Sequence, residues 1–140
     1  MRRVFVDTGG IIAYQNERDL NHRTARQMYD ELEELAAVEL TTTDYIFTEL
    51  GNAFSKTGYR SKALSFIDNF RVDPACNVVT IDTMLFEEAL ALYRARDDKE
   101  WGLTDCTSFV LMRRENIVEA FTTDHHFEQA GFVRLIQPSR

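Results

Sequence analysis

Val4-Phe5-Val6-Asp7-Thr8 places a carboxylate directly after a short apolar run. Such a run, closed by a polar residue, reads as a buried strand. The pattern returns at Ala120-Phe121-Thr122-Thr123-Asp124. Working outward, strands are expected at 2–6, 39–42, 77–81, 119–123 and 132–136. A loop with Gly9 and Gly10 leads into a helical turn through Ile11, Ile12 and Tyr14. Residues 21–37 carry Ala25, Met28, Tyr29, Leu32, Leu35 and Ala36 at helical spacing. Further helices are expected at 44–56, 60–70, 83–97, 104–115 and 125–130, with Gly58 breaking between the first two. Alternating strands and helices imply an α/β fold with a parallel sheet and crossover helices. Sheets of this kind hold ligands at the carboxyl ends of their strands, where both Asp7 and Asp124 fall.

The chain has 140 residues, the size of one domain (1–140), and 44% hydrophobic residues, enough for a core. Its net charge of −7 argues against a protein that grips DNA mainly through bulk positive charge, without excluding a nucleic-acid enzyme. Local cations can still steer a polyanion, and Arg60, Lys62, Arg71, Arg94, Arg96, Lys99, Arg113 and Arg114 are the candidates. For most of them a solvated surface charge is the better reading. Cys76 and Cys106 do not make a disulfide framework, and no zinc-type Cys/His spacing occurs. No apolar signal segment precedes the first strand, and no apolar run is long enough to span a bilayer. The expectation is a cytoplasmic protein without a membrane partner.

Glu49 and Asp105 join Asp7 and Asp124 as the carboxylates of interest. Glu49 lies at the edge of the apolar stripe Ile46, Phe47, Leu50, Ala53 and Phe54, roughly 40° from Ala53, so it faces partly inward. Asp105 enters a helix whose residues Cys106, Phe109, Val110 and Met112 are apolar on most sides; Thr104 is its expected N-cap. Each carboxylate has a bland reading as a cap, a turn or a boundary residue. Asp82 and Asp44 are read as such caps. Gathered together, carboxylates repel by about 4 kcal/mol per pair at 4 Å and an effective dielectric near 20. Such a cluster calls for protons or hard cations, which points to Mg²⁺ or Mn²⁺ and phosphate chemistry. His125 and His126 are neighbours, about 100° apart on a helix, and are not expected to chelate one ion together. His126 is read as structural or phosphate-contacting, His125 as surface, and His22 as an ordinary helix-start residue.

At these residues the chain resembles the PIN-domain nucleases, in particular the VapC-type toxins of prokaryotic toxin–antitoxin pairs. The resemblance covers essentially the whole chain. Its landmarks are Val4-Phe5-Val6-Asp7-Thr8, Thr48-Glu49-Leu50, Trp101-Gly102-Leu103-Thr104-Asp105-Cys106-Thr107-Ser108-Phe109 and Thr122-Thr123-Asp124-His125-His126-Phe127. It implies a three-layer α/β/α PIN-like fold around a central, mainly parallel twisted sheet of four to five strands. It matches Asp7, Glu49, Asp105 and Asp124 to the family's acidic quartet, as catalytic and metal-binding residues, with Thr8 and Thr104 as supporting hydroxyls. It further implies an endoribonuclease using Mg²⁺ or Mn²⁺, an RNA substrate, a cognate antitoxin protein and a homodimer. Gly9-Gly10 departs from the bulkier residues of many relatives and is expected to loosen the first helical turn.

Three other readings compete. Phe5-Val6-Asp7-Thr8-Gly9 resembles the active strand of a dimeric aspartic protease, but that chemistry normally sits on an all-β fold. A phosphoacceptor signalling domain also clusters aspartates, yet no lysine follows Lys99. A non-catalytic α/β binding module would use every carboxylate as a cap or turn.

Overall fold

The structure is a computed structural model and describes residues 1–138. Its elements run β1 (Arg2–Val6), α1 (Thr8–Gln15), α2 (His22–Glu34), β2 (Val38–Thr43), α3 (Asp44–Ala53), α4 (Arg60–Val72), β3 (Cys76–Val79), α5 (Thr83–Ala95), α6 (Leu103–Glu115), β4 (Glu119–Phe121), α7 (His126–Gln129) and β5 (Val133–Arg134). The strands form one sheet in the order β3-β2-β1-β4-β5, with every pair parallel. The α/β reading therefore holds, at the upper end of the expected strand count.

From β1 the chain steps outward to β2 and β3, then returns across β1 to β4 and β5. Right-handed crossovers put the helices of the two excursions on opposite faces. Side-chain contacts agree with this division. Phe121 of β4 packs on Tyr29 of α2, with ring centroids 5.3 Å apart, and Tyr29 meets Phe66 of α4 at 5.7 Å. Phe5 of β1 instead faces Phe127 of α7 at 6.2 Å, and Phe127 meets Phe109 of α6 at 4.9 Å. Val4, Phe5 and Val6 have no exposed surface, as expected of a central strand covered on both sides. The reversal of strand order falls between β1 and β4, and a crevice at their carboxyl ends follows from it.

Several boundaries differ from expectation, for local chemical reasons. β4 stops at Phe121 rather than 123 because the Thr122 hydroxyl accepts a hydrogen bond from the Asp124 N–H at 3.0 Å, turning the chain. The N-cap of α3 is Thr43, whose hydroxyl accepts from the Ile46 N–H at 3.1 Å. Asp44 is thus the first helical residue rather than the cap. Its carboxylate accepts from the Ile81 N–H at 2.9 Å, tying the end of β2 to the loop after β3. Asp82 is a cap as expected, accepting from the Leu85 N–H at 2.8 Å. The N-cap of α6 is Gly102, so Thr104 does not cap that helix.

Gly9-Gly10 does the opposite of loosening α1. A Cβ built on Gly10 would lie 2.5 Å from Cδ1 of Phe121 and closer still to the Phe121 carbonyl oxygen. Only a hydrogen at this position lets α1 sit directly on β4. Gly51, in α3, has nothing within 4 Å of such a Cβ. Gly10→Ala is therefore expected to destabilise the protein by about 1–3 kcal/mol. Gly51→Ala should be neutral or stabilising by up to ~1 kcal/mol. Denaturant unfolding of the two variants checks the contrast; equal stability would contradict the close approach.

Candidate active site

The crevice between β1 and β4 collects the acidic residues. Asp7 follows β1 and caps α1, its Oδ2 accepting from the Gly9 N–H at 3.4 Å. It is only 4% exposed. Thr122, just past β4, donates its hydroxyl to the same Oδ2 at 2.6 Å. Because that hydroxyl also accepts from the Asp124 N–H, one side chain couples the ends of the two central strands. Asp124 in turn accepts at Oδ1 from the His126 N–H, 2.9 Å away.

Glu49 is half-buried on α3, and the Thr8 hydroxyl donates to its Oε1 at 2.6 Å. The inward-facing placement of Glu49 is thereby accounted for, and Thr8 is a carboxylate anchor. Asp105 lies in the first turn of α6, where its Oδ2 accepts from the Gly102 N–H at 3.1 Å. Thr104 contributes differently from expectation: its carbonyl accepts the Thr107 hydroxyl at 2.6 Å and the Ser108 hydroxyl at 3.3 Å. No hydrogen bond joins its own hydroxyl to the acidic residues, among the described residues.

Each of the four carboxylates is thus held through one oxygen: Oδ2 of Asp7, Oε1 of Glu49, Oδ2 of Asp105 and Oδ1 of Asp124. The other oxygen of each accepts no hydrogen bond among the described residues. Half-used carboxylates beside a buried aspartate form an oxygen donor set, and this chemistry suits a hard divalent cation.

His126 lies among these groups. Its Nδ1 is 3.4 Å from Oδ2 of Asp105 and 3.3 Å from Oδ1 of Asp124. This nitrogen is buried and has no hydrogen-bond partner among the described residues. The reading of His126 as structural or phosphate-contacting did not include its place between two of the acids. The two histidines also lie closer than expected. His125 is the cap of α7, with a helical backbone of its own (φ −65°, ψ −17°). Ligand atoms of Asp124, His125 and His126 all lie within 4.8 Å of one another, although His125 is exposed. Among the described residues, that trio is drawn together more tightly than the acidic quartet.

Thr122 and the Gly102 N–H were not singled out as site groups. The hydroxyl of Thr122 sits two residues before Asp124, at the end of an apolar strand, and that spacing was the available signal. Nothing in the sequence marks a backbone N–H.

Burial, first of all, raises the Asp7 pKa from 3.8 to about 7. The charges of Asp105, Glu49 and Asp124 push the same way, while the Thr122 hydrogen bond opposes them. Asp105 is also raised, mainly by burial and then by Asp124, against the Gly102 hydrogen bond and His126. For Asp7, the folded state holds a proton that the unfolded chain has released. Metal-free stability should therefore fall as pH rises from about 4 to about 7, with the full loss present above that window. Asp7→Asn removes the titration while keeping the shape. In EDTA it should melt a few degrees above the parent at about pH 8, with the gap closing toward pH 4.5. A variant no more stable than the parent at pH 8 would contradict the burial of charge at Asp7.

Comparison with known proteins agrees with this architecture. The PIN domain family model matches residues 4–133. The 23S rRNA-specific endonuclease VapC20 of Mycobacterium tuberculosis is 26% identical over 133 residues, covering 94% of this chain and 97% of that protein. The crystal structure of VapC20, described as a sarcin-ricin loop cleaving toxin, superposes with a TM-score of 0.83 at 25% identity, covering 93% of this chain and 96% of that one. VapBC2 from Rickettsia felis, solved bound to a DNA fragment from the promoter, shares the fold at a TM-score of 0.64 and 15% identity, over 94% of this chain and 96% of that one. The family match leaves only short ends of the sequence outside it, and the chain belongs to the PIN domain family.

Proposed function

We propose that the protein is a metal-dependent endoribonuclease acting as the toxin of a toxin–antitoxin pair. The observation that carries this reading is the buried Asp7 at the switch between β1 and β4, under the charge of Glu49, Asp105 and Asp124. The similarity to VapC20 along nearly the whole chain supports the same class of reaction. Asp7, Glu49, Asp105 and Asp124 would hold Mg²⁺ or Mn²⁺ through the oxygens their hydrogen bonds leave open. When bound, such an ion supplies an activated water and neutralises charge developing on the phosphate.

The remaining work falls to the chain's own side chains. Thr122 fixes the rotamer of Asp7, and Thr8 fixes that of Glu49. The Gly102 N–H and the His126 N–H do the same for Asp105 and Asp124. Carboxylates held in this way need no reordering when a cation or phosphate arrives, and preorganisation of this kind is a main source of rate enhancement. Their mutual repulsion is relieved by the cation, so binding should be strong relative to an isolated aspartate pair.

The substrate class we propose is RNA, with 23S rRNA the first candidate because that is the substrate in the name of VapC20. A cognate antitoxin protein and a homodimeric assembly complete the proposal by family resemblance. None of the described helices is long and apolar enough to cross a membrane, which is compatible with action on RNA in the cytoplasm.

Purified protein incubated with total RNA and Mn²⁺ should produce discrete new 5′ ends. EDTA should abolish them, and Asp7→Asn should lower the rate by at least about 100-fold. Undiminished cleavage in EDTA or by Asp7→Asn would overturn the proposal. Thr122→Val, which deletes only the anchoring hydroxyl, should lower the rate by about 10-fold while retaining Mn²⁺ dependence.

A further inference from the structure

The acidic site poses a problem for its own substrate. A chain of net charge −7 with a carboxylate cluster at its centre repels RNA, so nearby groups must hold the nucleic acid. We propose that the cavity between the end of α5 and the start of α6 holds one unstacked nucleotide of the RNA beside the cleaved phosphate. This rests on the ribonuclease reading above and adds to it a subsite with named residues.

The cavity measures about 450 Å³, within the range of small-ligand sites. Tyr93, Arg96, Lys99, Trp101, Gly102 and Cys106 line it. Its position is the first argument. Gly102 donates its N–H to Asp105, and Cys106 follows Asp105 directly, so the cavity shares a wall with the acidic site.

Its chemistry is the second. Recognition of single-stranded RNA combines an aromatic surface for a base with cations for the backbone. Tyr93 is 49% exposed, which leaves its ring accessible to a base. Trp101 is buried and fixed: its indole N–H donates to Gln129 at 3.0 Å, and the Arg96 guanidinium lies 5.0 Å from its ring centre. Arg96 is partly neutralised by Asp98, with contacts of 2.9 and 3.1 Å. Lys99 forms no ion pair within 4.0 Å among the described residues, although the charge of Asp98 acts on it.

Asp97 and Glu100 border the same cavity. They would repel a phosphate but accept N–H groups from a base edge. Arg96 and Lys99 are therefore the groups that would meet the backbone, and Asp97 and Glu100 those that would meet a base carrying an amino group. Each of these roles uses a residue outside the acidic quartet.

The test uses a short single-stranded RNA and the variants Tyr93→Ala, Lys99→Glu and Lys99→Arg. The first two should raise KM about tenfold while kcat falls less than about threefold; Lys99→Arg should stay near the parent. Trp101 is the only tryptophan in the chain, so its fluorescence reports occupancy directly. In an Asp7→Asn background the oligonucleotide should change that emission saturably, and Tyr93→Ala should weaken the titration. Parental KM in both Tyr93→Ala and Lys99→Glu would overturn the subsite while leaving the ribonuclease reading intact. If the parent cleaves no RNA with Mn²⁺, that reading fails instead. The fluorescence titration then decides the subsite alone, and an unchanged emission overturns it.

Discussion

A carboxylate held out of water among other carboxylates is the constraint on which this structure turns. Asp7 sits at the end of a strand covered on both faces, and burial is the largest force acting on its ionisation. Three further acids raise the cost of charging it. A fold that needed only a helix cap at this point would do better with serine or asparagine. The sheet accepts the penalty because β1 and β4 are adjacent and their ends are locked by Thr122. Removing the charge should make the empty protein steadier and the enzyme inert, which is the usual signature of a functional site set against stability.

The surrounding architecture serves that placement. Gly10 lets α1 approach β4 closely, so the loop carrying Asp7 stays short. Thr43 starts α3, from which Glu49 reaches the Thr8 hydroxyl. Gly102 starts α6 and positions Asp105 within its first turn. The aromatic contacts of Phe5, Phe127 and Phe109 lock α6 and α7 to the far face of the sheet, bringing His126 between Asp105 and Asp124. Each acid thus arrives from a different element, with its own local hydrogen bond.

Much of this was legible from the residues. Apolar runs and helical stripes located most elements, because a buried strand and an amphipathic helix leave distinct periods, but Gly9 and Gly10, read as a loop, lie inside α1. The VapC-type resemblance pointed to the α/β/α architecture and to the acids worth following. What the sequence hid were matters of tertiary contact. Whether Thr43 or Asp44 caps α3 depends on what else Asp44 can bind, and the Ile81 N–H is 37 positions away. Thr104 looked like a cap because threonine often is one, but the helix begins a residue earlier, at Leu103. The double role of Thr122 requires knowing that β1 and β4 are neighbours. Gly10 looked permissive, and only the contact with Phe121 reveals it as a requirement.

Titration calorimetry with Mn²⁺ near pH 6, in two buffers of different ionisation heat, tests the central claim most directly. The account predicts saturable binding by the parent with release of a proton, because Asp7 must give up its hydrogen to meet the cation. It also predicts that Asp7→Asn binds far more weakly and without that release. Absence of Mn²⁺ binding by the parent, or equal binding by Asp7→Asn, would contradict it.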